Sequence, residues 1–391
     1  MRSRPGIWLR LAALAGVAGT LLAVVSGTVG IGHEEISALA VPPLAALAVA
    51  AWMAHRHLLW PSLVALALFG AAAAVTADGL HVVLASGALA AAAFAAAQCF
   101  RGEPVAAGPW RDYVTLTKPR IMSLLLVTGG AGMFVGAQGV PDGGLFVAAM
   151  AGLALACGGA SALNHMLDAD IDRLMGKRTE KRPVAAGRVP PALALEFGLA
   201  LSAFSFVLLA SVVNVVTAAL ALVGNLFYVL VYTRWLKRAT PQNIVIGGAA
   251  GAVPPLVGYA AATGDLGLPA LWLFLIVFLW TPPHFWALAL LIKESYAAAN
   301  VPMLPVVKGD AETTRQIVRY SLVLVAFTLA VGFWLGALYA VAAVLLGAVF
   351  LWLAWRLRNA PTRRNAGLLF HYSLLYLALL FAAAAVNPVL L

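Results

Sequence analysis

Residues Gly144 to Arg173 read GLFVAAMAGLALACGGASALNHMLDADIDR. As far as Leu167 the run carries no Asp, Glu, Lys or Arg, and it is long enough to supply the roughly 20 apolar residues that a helix needs to cross a bilayer. It then turns acidic, and from Arg173 to Arg188 it turns basic. Asn164, Asp168 and Asp172 recur at every fourth position, so on a helix their oxygens lie along one face while Asp170 points elsewhere. A helix that leaves the membrane with polar groups stacked on one face sets the reading of the rest of the chain.

The composition agrees with a membrane setting. Of 391 residues, 63% are hydrophobic and 10% charged, whereas soluble domains carry about 45–50% and about 25%. A soluble globular domain is excluded, and an all-α polytopic membrane bundle is expected. The formal charge of +10 would suggest nucleic acid for a soluble protein; here membrane topology accounts for it, and no nucleic-acid partner is expected. Cys99 and Cys157 both sit in apolar runs, so neither a disulfide framework nor a thiolate metal site is indicated.

Thirteen apolar runs bounded by charge, Gly or Pro are candidate spans. Four come early, at about Leu9–Ile31, Ile36–Ala54, Leu58–Val75 and Leu80–Cys99. Nine follow, at about Ile121–Ala137, Gly144–Leu167, Pro191–Val213, Val215–Tyr232, Ile244–Ala262, Pro269–Ile292, Val318–Leu335, Gly336–Trp355 and Leu368–Leu391. The polar stretch Phe100–Lys118, with Arg101, Glu103, Pro104, Pro109 and Arg111, reads as a linker. The expected division is therefore a four-helix membrane extension over residues 1–105 and a nine-helix domain over 106–391. The first run is too long for a signal peptide and lacks a clear small-x-small cleavage site, so it reads as a retained helix.

The span count can be tested against the charges. With the N-terminus in the cytoplasm, every Lys and Arg falls on the cytoplasmic side, in clusters such as Arg101–Arg120, Arg173–Arg188 and Arg356–Arg364. The outer loops keep Glu34, Glu35, Asp78, Asp142 and Asp265 and no basic residue. Adding or removing one helix would scramble that partition. A multi-pass protein of the cell's inner (plasma) membrane is expected, embedded in the lipid bilayer, with its N-terminus and its charged site facing the cytoplasm.

Stacked carboxylates at the rim of the hydrocarbon repel one another unless a cation sits between them. Oxygen-only ligands favour Mg²⁺, which takes few protein carboxylates and fills its remaining positions with water or phosphate oxygens. The adjacent Lys and Arg run suits those phosphates. Carboxylates and basic residues together read as a metal–diphosphate clamp; a salt-bridged loop that only enforces topology would carry the same residues, and spacing alone leaves both readings open.

The pattern N-x-x-x-D-x-x-x-D over Asn164–Asp172 resembles the first aspartate-rich motif of the UbiA superfamily of intramembrane prenyltransferases. Four further stretches resemble its protoheme IX farnesyltransferase branch: YVTLTKPRIMS at Tyr113–Ser123, YTRWLKRATPQNIVIGGAAG at Tyr232–Gly251, WTPPHFWA at Trp280–Ala287 and VPMLPVVKG at Val301–Gly309. The resemblance runs from Tyr113 to the C-terminus and implies a nine-helix intramembrane prenyltransferase core. It implies an enzyme that uses Mg²⁺ to ionise farnesyl diphosphate and places the farnesyl group on a vinyl carbon of heme b, water completing the product heme O.

By that resemblance Asn164, Asp168 and Asp172 hold the metal. Lys118, Arg120, Lys177, Arg178 and Arg182 hold the diphosphate, with Lys237 and Arg238 behind them. Where the family's second acidic motif places an Asp immediately before Tyr296, this chain has Ser295; Glu294 is adjacent and is carried as its substitute, although one residue along a helix is a rotation of about 100°. Tyr232, Asn243 and Tyr296 are expected to line the substrate cavity, with Asn225 and Tyr228 more simply hydrogen-bonded between helices. Gly247 and Gly251 form a small-xxx-small pair suited to close packing. Pro254–Pro255 and Pro282–Pro283 are expected to break their helices beside a cavity, and His284, following the second pair, is the candidate for touching the porphyrin.

The early spans resemble a four-helix half of heme A synthase, which makes that enzyme a candidate partner. A heme-binding half of that kind needs facing histidines. His81 is one candidate, but His33, His55 and His57 fall at span ends, so a degenerate, non-catalytic extension is expected. Two rival readings remain: a prenyltransferase of the same fold acting on an aromatic quinone precursor, and a multi-pass transporter.

Overall fold

The computed structural model describes residues 109–390 apart from 178, together with nine scattered helical residues between 17 and 92. The four early spans, the boundary at 105/106 and Arg178 lie outside the described residues. Among the described residues every regular element is helical, and nine helices are long and apolar enough to cross a membrane. They are α1 (Pro119–Ala137), α2 (Gly143–Leu167), α3 (Pro191–Val213), α4 (Val215–Ala239), α5 (Asn243–Thr263), α6 (Leu268–Leu291), α7 (Gly309–Leu335), α8 (Ala337–Asn359) and α9 (Arg363–Leu390). The protein is a multi-pass membrane protein.

Each helix packs on the next, and α9 returns to α1 to close the ring, while α1 also lies directly against α5 and α6 against α9. Nine of the expected spans are therefore present. Several run further than hydropathy indicated: α7 begins at Gly309 rather than Val318, and α4 continues past Tyr232 to Ala239. Hydropathy registers where lipid stops, whereas helical hydrogen bonding continues into the polar residues beyond.

The α1–α5 contact is backbone on backbone. A Cβ placed on Gly258 would lie 1.7 Å from the carbonyl oxygen of Gly129, and one on Gly132 would lie 2.3 Å from that of Pro255. Pro254 and Pro255 are buried in this contact, as Pro282 and Pro283 are buried in α6, and both helices run through their proline pairs without a break. The expectation of broken helices is thus corrected: tight packing on neighbouring helices holds the turns where two N–H groups are missing. Of the glycine pair in α5, Gly247 does pack closely, its Cβ position 2.2 Å from the Tyr232 ring, but Gly251 faces open space.

Two features shape the basic end of the bundle. Residues Phe227–Leu236 of α4 form a π-helical stretch, whose wider turns rotate the residues after it relative to a regular helix. The loop from Gly176 to Pro190 folds over the end of α2, with Val184 and Val189 in a cluster with Leu116, Ala162 and Leu193. Arg188 ties that loop to the short helix Trp110–Leu116 through a two-armed pair with Asp112, at 2.9 and 3.0 Å.

Candidate active site

The polar face read from the sequence is turned into the protein. Asn164, Asp168 and Asp172 are 3%, 1% and 1% exposed. The α2 helix ends at Leu167, and a new helical turn, Ala169–Leu174, carries Asp172 onward so that both carboxylates stay on the buried side. Asp170, on the other face, is exposed and takes both arms of Arg238, at 2.7 and 2.8 Å. That bond holds its carboxyl down at about 2.

Cations reach the cluster from three segments. Lys118 precedes Pro119 with φ 50°, a left-handed conformation rare for a side chain with a Cβ and costing of order 1–3 kcal/mol. The turn sends its ammonium to Asn164 Oδ1, which accepts at 2.6 Å. Burial pushes this Lys118 amine down to about 7, and the nearby Arg182 adds to the shift. Lys237, placed by the π-helical stretch, pairs with Asp168 Oδ2 at 2.5 Å. Arg182, from the covering loop, pairs with Asp172 Oδ1 at 2.7 Å. Burial raises the Asp172 carboxyl above its usual range, with Arg182 pulling the other way.

Asn164 organises the centre. Its Nδ2 donates to Asp168 Oδ2 at 2.7 Å and to Thr233 Oγ1 at 3.1 Å, while Thr233 itself donates to the Tyr228 carbonyl five residues back. Two carboxylate oxygens remain, Asp168 Oδ1 and Asp172 Oδ2, both buried and without a hydrogen-bond partner, as are both nitrogens of His165 and both side-chain polar atoms of Asn243. An unpartnered buried carboxylate oxygen is costly, and such oxygens are rare unless something else satisfies them. Hard oxygen donors at successive turns fit a divalent cation of the Mg²⁺ type, which keeps one or two protein carboxylates and shares the rest with phosphate. Among the described residues no group of three or more His, Cys, Asp or Glu is placed to hold a metal ion by itself.

Of the residues singled out in the sequence, the structure brings together Lys118, Asn164, Asp168, Asp172, Arg182 and Lys237. Tyr232 and Tyr296 pack with Ile171, next to Asp172, and burial lifts the Tyr296 hydroxyl to about 12. Asn243 is buried at the start of α5, beside Ile244 of the same cluster. Others stay apart: Arg120 and Lys177 are exposed and make no ion pair among the described residues, and Arg238 is committed to Asp170 and the Leu167 carbonyl. Glu294 is exposed and makes no ion pair or side-chain hydrogen bond among the described residues. His284 lies between the rings of Trp280 and Phe370, at 4.3 and 4.8 Å, with Nδ1 2.6 Å from Ser373 Oγ, so both its faces are covered. Sequence reasoning missed Thr233 and His165; the only signal was their place inside the YTRWLKR and NHMLD stretches.

Nine long apolar helices among the described residues, with a buried, cation-ringed pair of carboxylates at one end, define the class. Residues 125–386 match the UbiA prenyltransferase family, and the chain belongs to that family. Its relatives narrow the class further. A protoheme IX farnesyltransferase of Symbiobacterium thermophilum is 54% identical over 286 residues, covering 70% of this chain and 92% of that protein. One of Synechocystis sp. is 51% identical over 281 residues, covering 71% and 89%. Among solved structures, a digeranylgeranylglyceryl phosphate synthase is similar with a TM-score of 0.61 at 18% identity, over 72% of this chain and 99% of that one. A UbiA homolog from Archaeoglobus fulgidus bound to DMAPP and Mg²⁺ is similar with a TM-score of 0.55 at 18% identity, over 70% and 99%. These two likenesses concern the fold.

Proposed function

We propose that this protein transfers the farnesyl group of farnesyl diphosphate to a vinyl group of heme b, giving heme O, from a site on the cytoplasmic side of the inner membrane. The observation that carries the reading is the pair of orphaned oxygens, Asp168 Oδ1 and Asp172 Oδ2, inside a ring of Lys118, Lys237 and Arg182. The names of relatives about half identical to this chain support the acceptor. The clustering of Lys and Arg at this end of the bundle supports its orientation.

Asp168 and Asp172 are the groups to hold Mg²⁺, whose bound charge would stabilise the departing diphosphate. Arg182 pairs with Asp172 and Lys237 with Asp168, and both are placed to turn toward phosphate oxygens. Lys118, held by a neutral amide rather than a carboxylate, has the least to give up. Asn164 fixes the direction of Asp168 and receives Lys118, so it positions both a metal ligand and a cation. The allylic C–O bond of the substrate breaks, the electron pair leaves with the diphosphate, and the vinyl double bond attacks the allylic carbon. Water then adds to the resulting porphyrin-side cation and loses a proton, so no oxidant or reductant is needed. Tyr228 and Tyr232 stack on each other at 5.6 Å and add aromatic surface near the cluster.

Residues 1–105 are read as a separate, non-catalytic four-helix unit of the same chain. Expression of the full chain in cells lacking heme O, followed by heme extraction and mass spectrometry, tests the function. The farnesylated product is expected; heme b alone, with the protein well expressed, overturns the reading.

A further inference from the structure

Away from the carboxylate cluster, a cavity of about 480 Å³ opens at the basic end between α6, α7 and the segment joining α4 to α5. It is lined by Gln242, Trp286, Leu304 and Lys308, and by Gln316 and Tyr320 of α7. Three of the stretches singled out in the sequence meet here: Gln242 comes from YTRWLKRATPQN, Trp286 from WTPPHFWA, and Leu304 and Lys308 from VPMLPVVKG. None of these residues bonds to Asp168 or Asp172.

The chemistry of the lining is specific. Trp286 is 2% exposed, and its Nε1 is buried with no hydrogen-bond partner. Its ring meets Tyr320 edge to face at 5.3 Å, forming an aromatic wall. Lys308 is exposed and makes no ion pair among the described residues. The one carboxylate on the lining, Glu312, is already engaged, accepting from Gln316 at 2.7 Å and pairing with Arg315 at 3.1 Å. Arg319 and Arg358 also stand near it, so the rim carries surplus positive charge. A buried N–H donor without a partner and an unpaired ammonium, beside the Tyr320 ring, together suit a molecule that brings carboxylates on one edge.

We infer that this cavity seats the carboxylate edge of the tetrapyrrole acceptor, with Lys308 and Trp286 Nε1 facing the propionate groups and Tyr320 beside them. The assignment rests on the acceptor being heme b, as proposed above. Trp286 and Phe285 are neighbours on α6 but point about 100° apart on a helix. Phe285 packs with Ile171, Tyr232 and Tyr296 beside the carboxylates. The same turn of α6 therefore borders both the acceptor's seat and the diphosphate site.

The test uses the full chain in lipid nanodiscs and follows the absorbance of added heme b and of its dimethyl ester, in which both carboxylates are capped. Lys308→Glu is expected to raise the Kd for heme b about tenfold, the equivalent of about 1.4 kcal/mol. Trp286→Phe, which keeps a ring and removes the N–H, is expected to raise it about threefold. The ester should bind wild type and both variants alike, and the KM for farnesyl diphosphate should not move. Unchanged heme b affinity in both variants overturns the assignment, as does equal weakening of the ester, which would mean a collapsed pocket. A rise in the farnesyl diphosphate KM would assign the cavity to diphosphate instead, and heme b binding lost only on adding anionic phospholipid would assign it to a lipid headgroup. If wild type makes heme O while the variants bind heme b normally, this assignment alone falls; if wild type makes no heme O, both fall.

Discussion

The α1–α5 seam and the Asn164–Asp172 cluster are both buried, and they are built in opposite ways. In the seam, Gly258 and Gly132 bring backbone directly against the carbonyls of Gly129 and Pro255. At the cluster, side chains supply nearly every contact, and two carboxylate oxygens are left without a partner. A seam with no slack fixes where helices sit. A cluster with unspent electrostatic capacity accepts something from outside. The protein joins the two through α5, which packs Gly258 on α1 and begins at Asn243 near the cluster.

The most severe way to break the comparison is in the seam. Gly258→Val puts atoms where the Gly129 carbonyl already stands, and a backbone cannot rotate aside as a side chain can; destabilisation of more than about 3 kcal/mol is expected, read as loss of folded protein after extraction. Gly251→Val, in the same helix and facing open space, should shift stability by less than about 1 kcal/mol. If the two variants behaved alike, the seam would not be the rigid element described here.

At the cluster the expected loss is chemical rather than structural. Asp168→Asn keeps the shape and removes one negative charge, so heme O formation should fall by roughly a hundredfold to a thousandfold while the protein still folds and inserts. Retained turnover would move the metal to another group. Thr233→Val is milder: it removes an acceptor from Asn164 Nδ2, a bond worth about 1 kcal/mol. A severalfold rise in the KM for farnesyl diphosphate is expected, with kcat little changed; an equal fall in kcat would place Thr233 closer to the reacting atoms.

The two regions were unequally legible in the sequence. Asn164, Asp168 and Asp172 could be read because helical spacing and the cost of stacked carboxylates are local facts, and the nine spans could be read because lipid imposes a length. The seam was hidden: Gly129, Gly132 and Gly258 meet only across helices, and the visible pair, Gly247 and Gly251, split between a contact and a void. The π-helical stretch that delivers Thr233 and Lys237 has no sequence period of its own. The proline pairs misled because a missing N–H predicts a break only where no neighbouring helix holds the turn.

Glu294 sharpens the comparison from the weak side. Physical adjacency to the missing Asp made it the substitute in the sequence, yet the short helix Lys293–Ala298 turns it to the surface, where it has no partner among the described residues. Its neighbour Lys293 is meanwhile tied to Asp310 at 2.7 Å, which anchors that helix to the start of α7 and limits how far it can rotate. Glu294→Gln should therefore leave heme O formation within about twofold of wild type, a barrier change of only about 0.4 kcal/mol. A loss approaching that of Asp168→Asn would mean that substrate turns this helix by a residue's rotation and recruits the carboxylate. The Lys293–Asp310 pair would then have to break, so Asp310→Asn should make that recruitment easier and raise the activity that Glu294 supports.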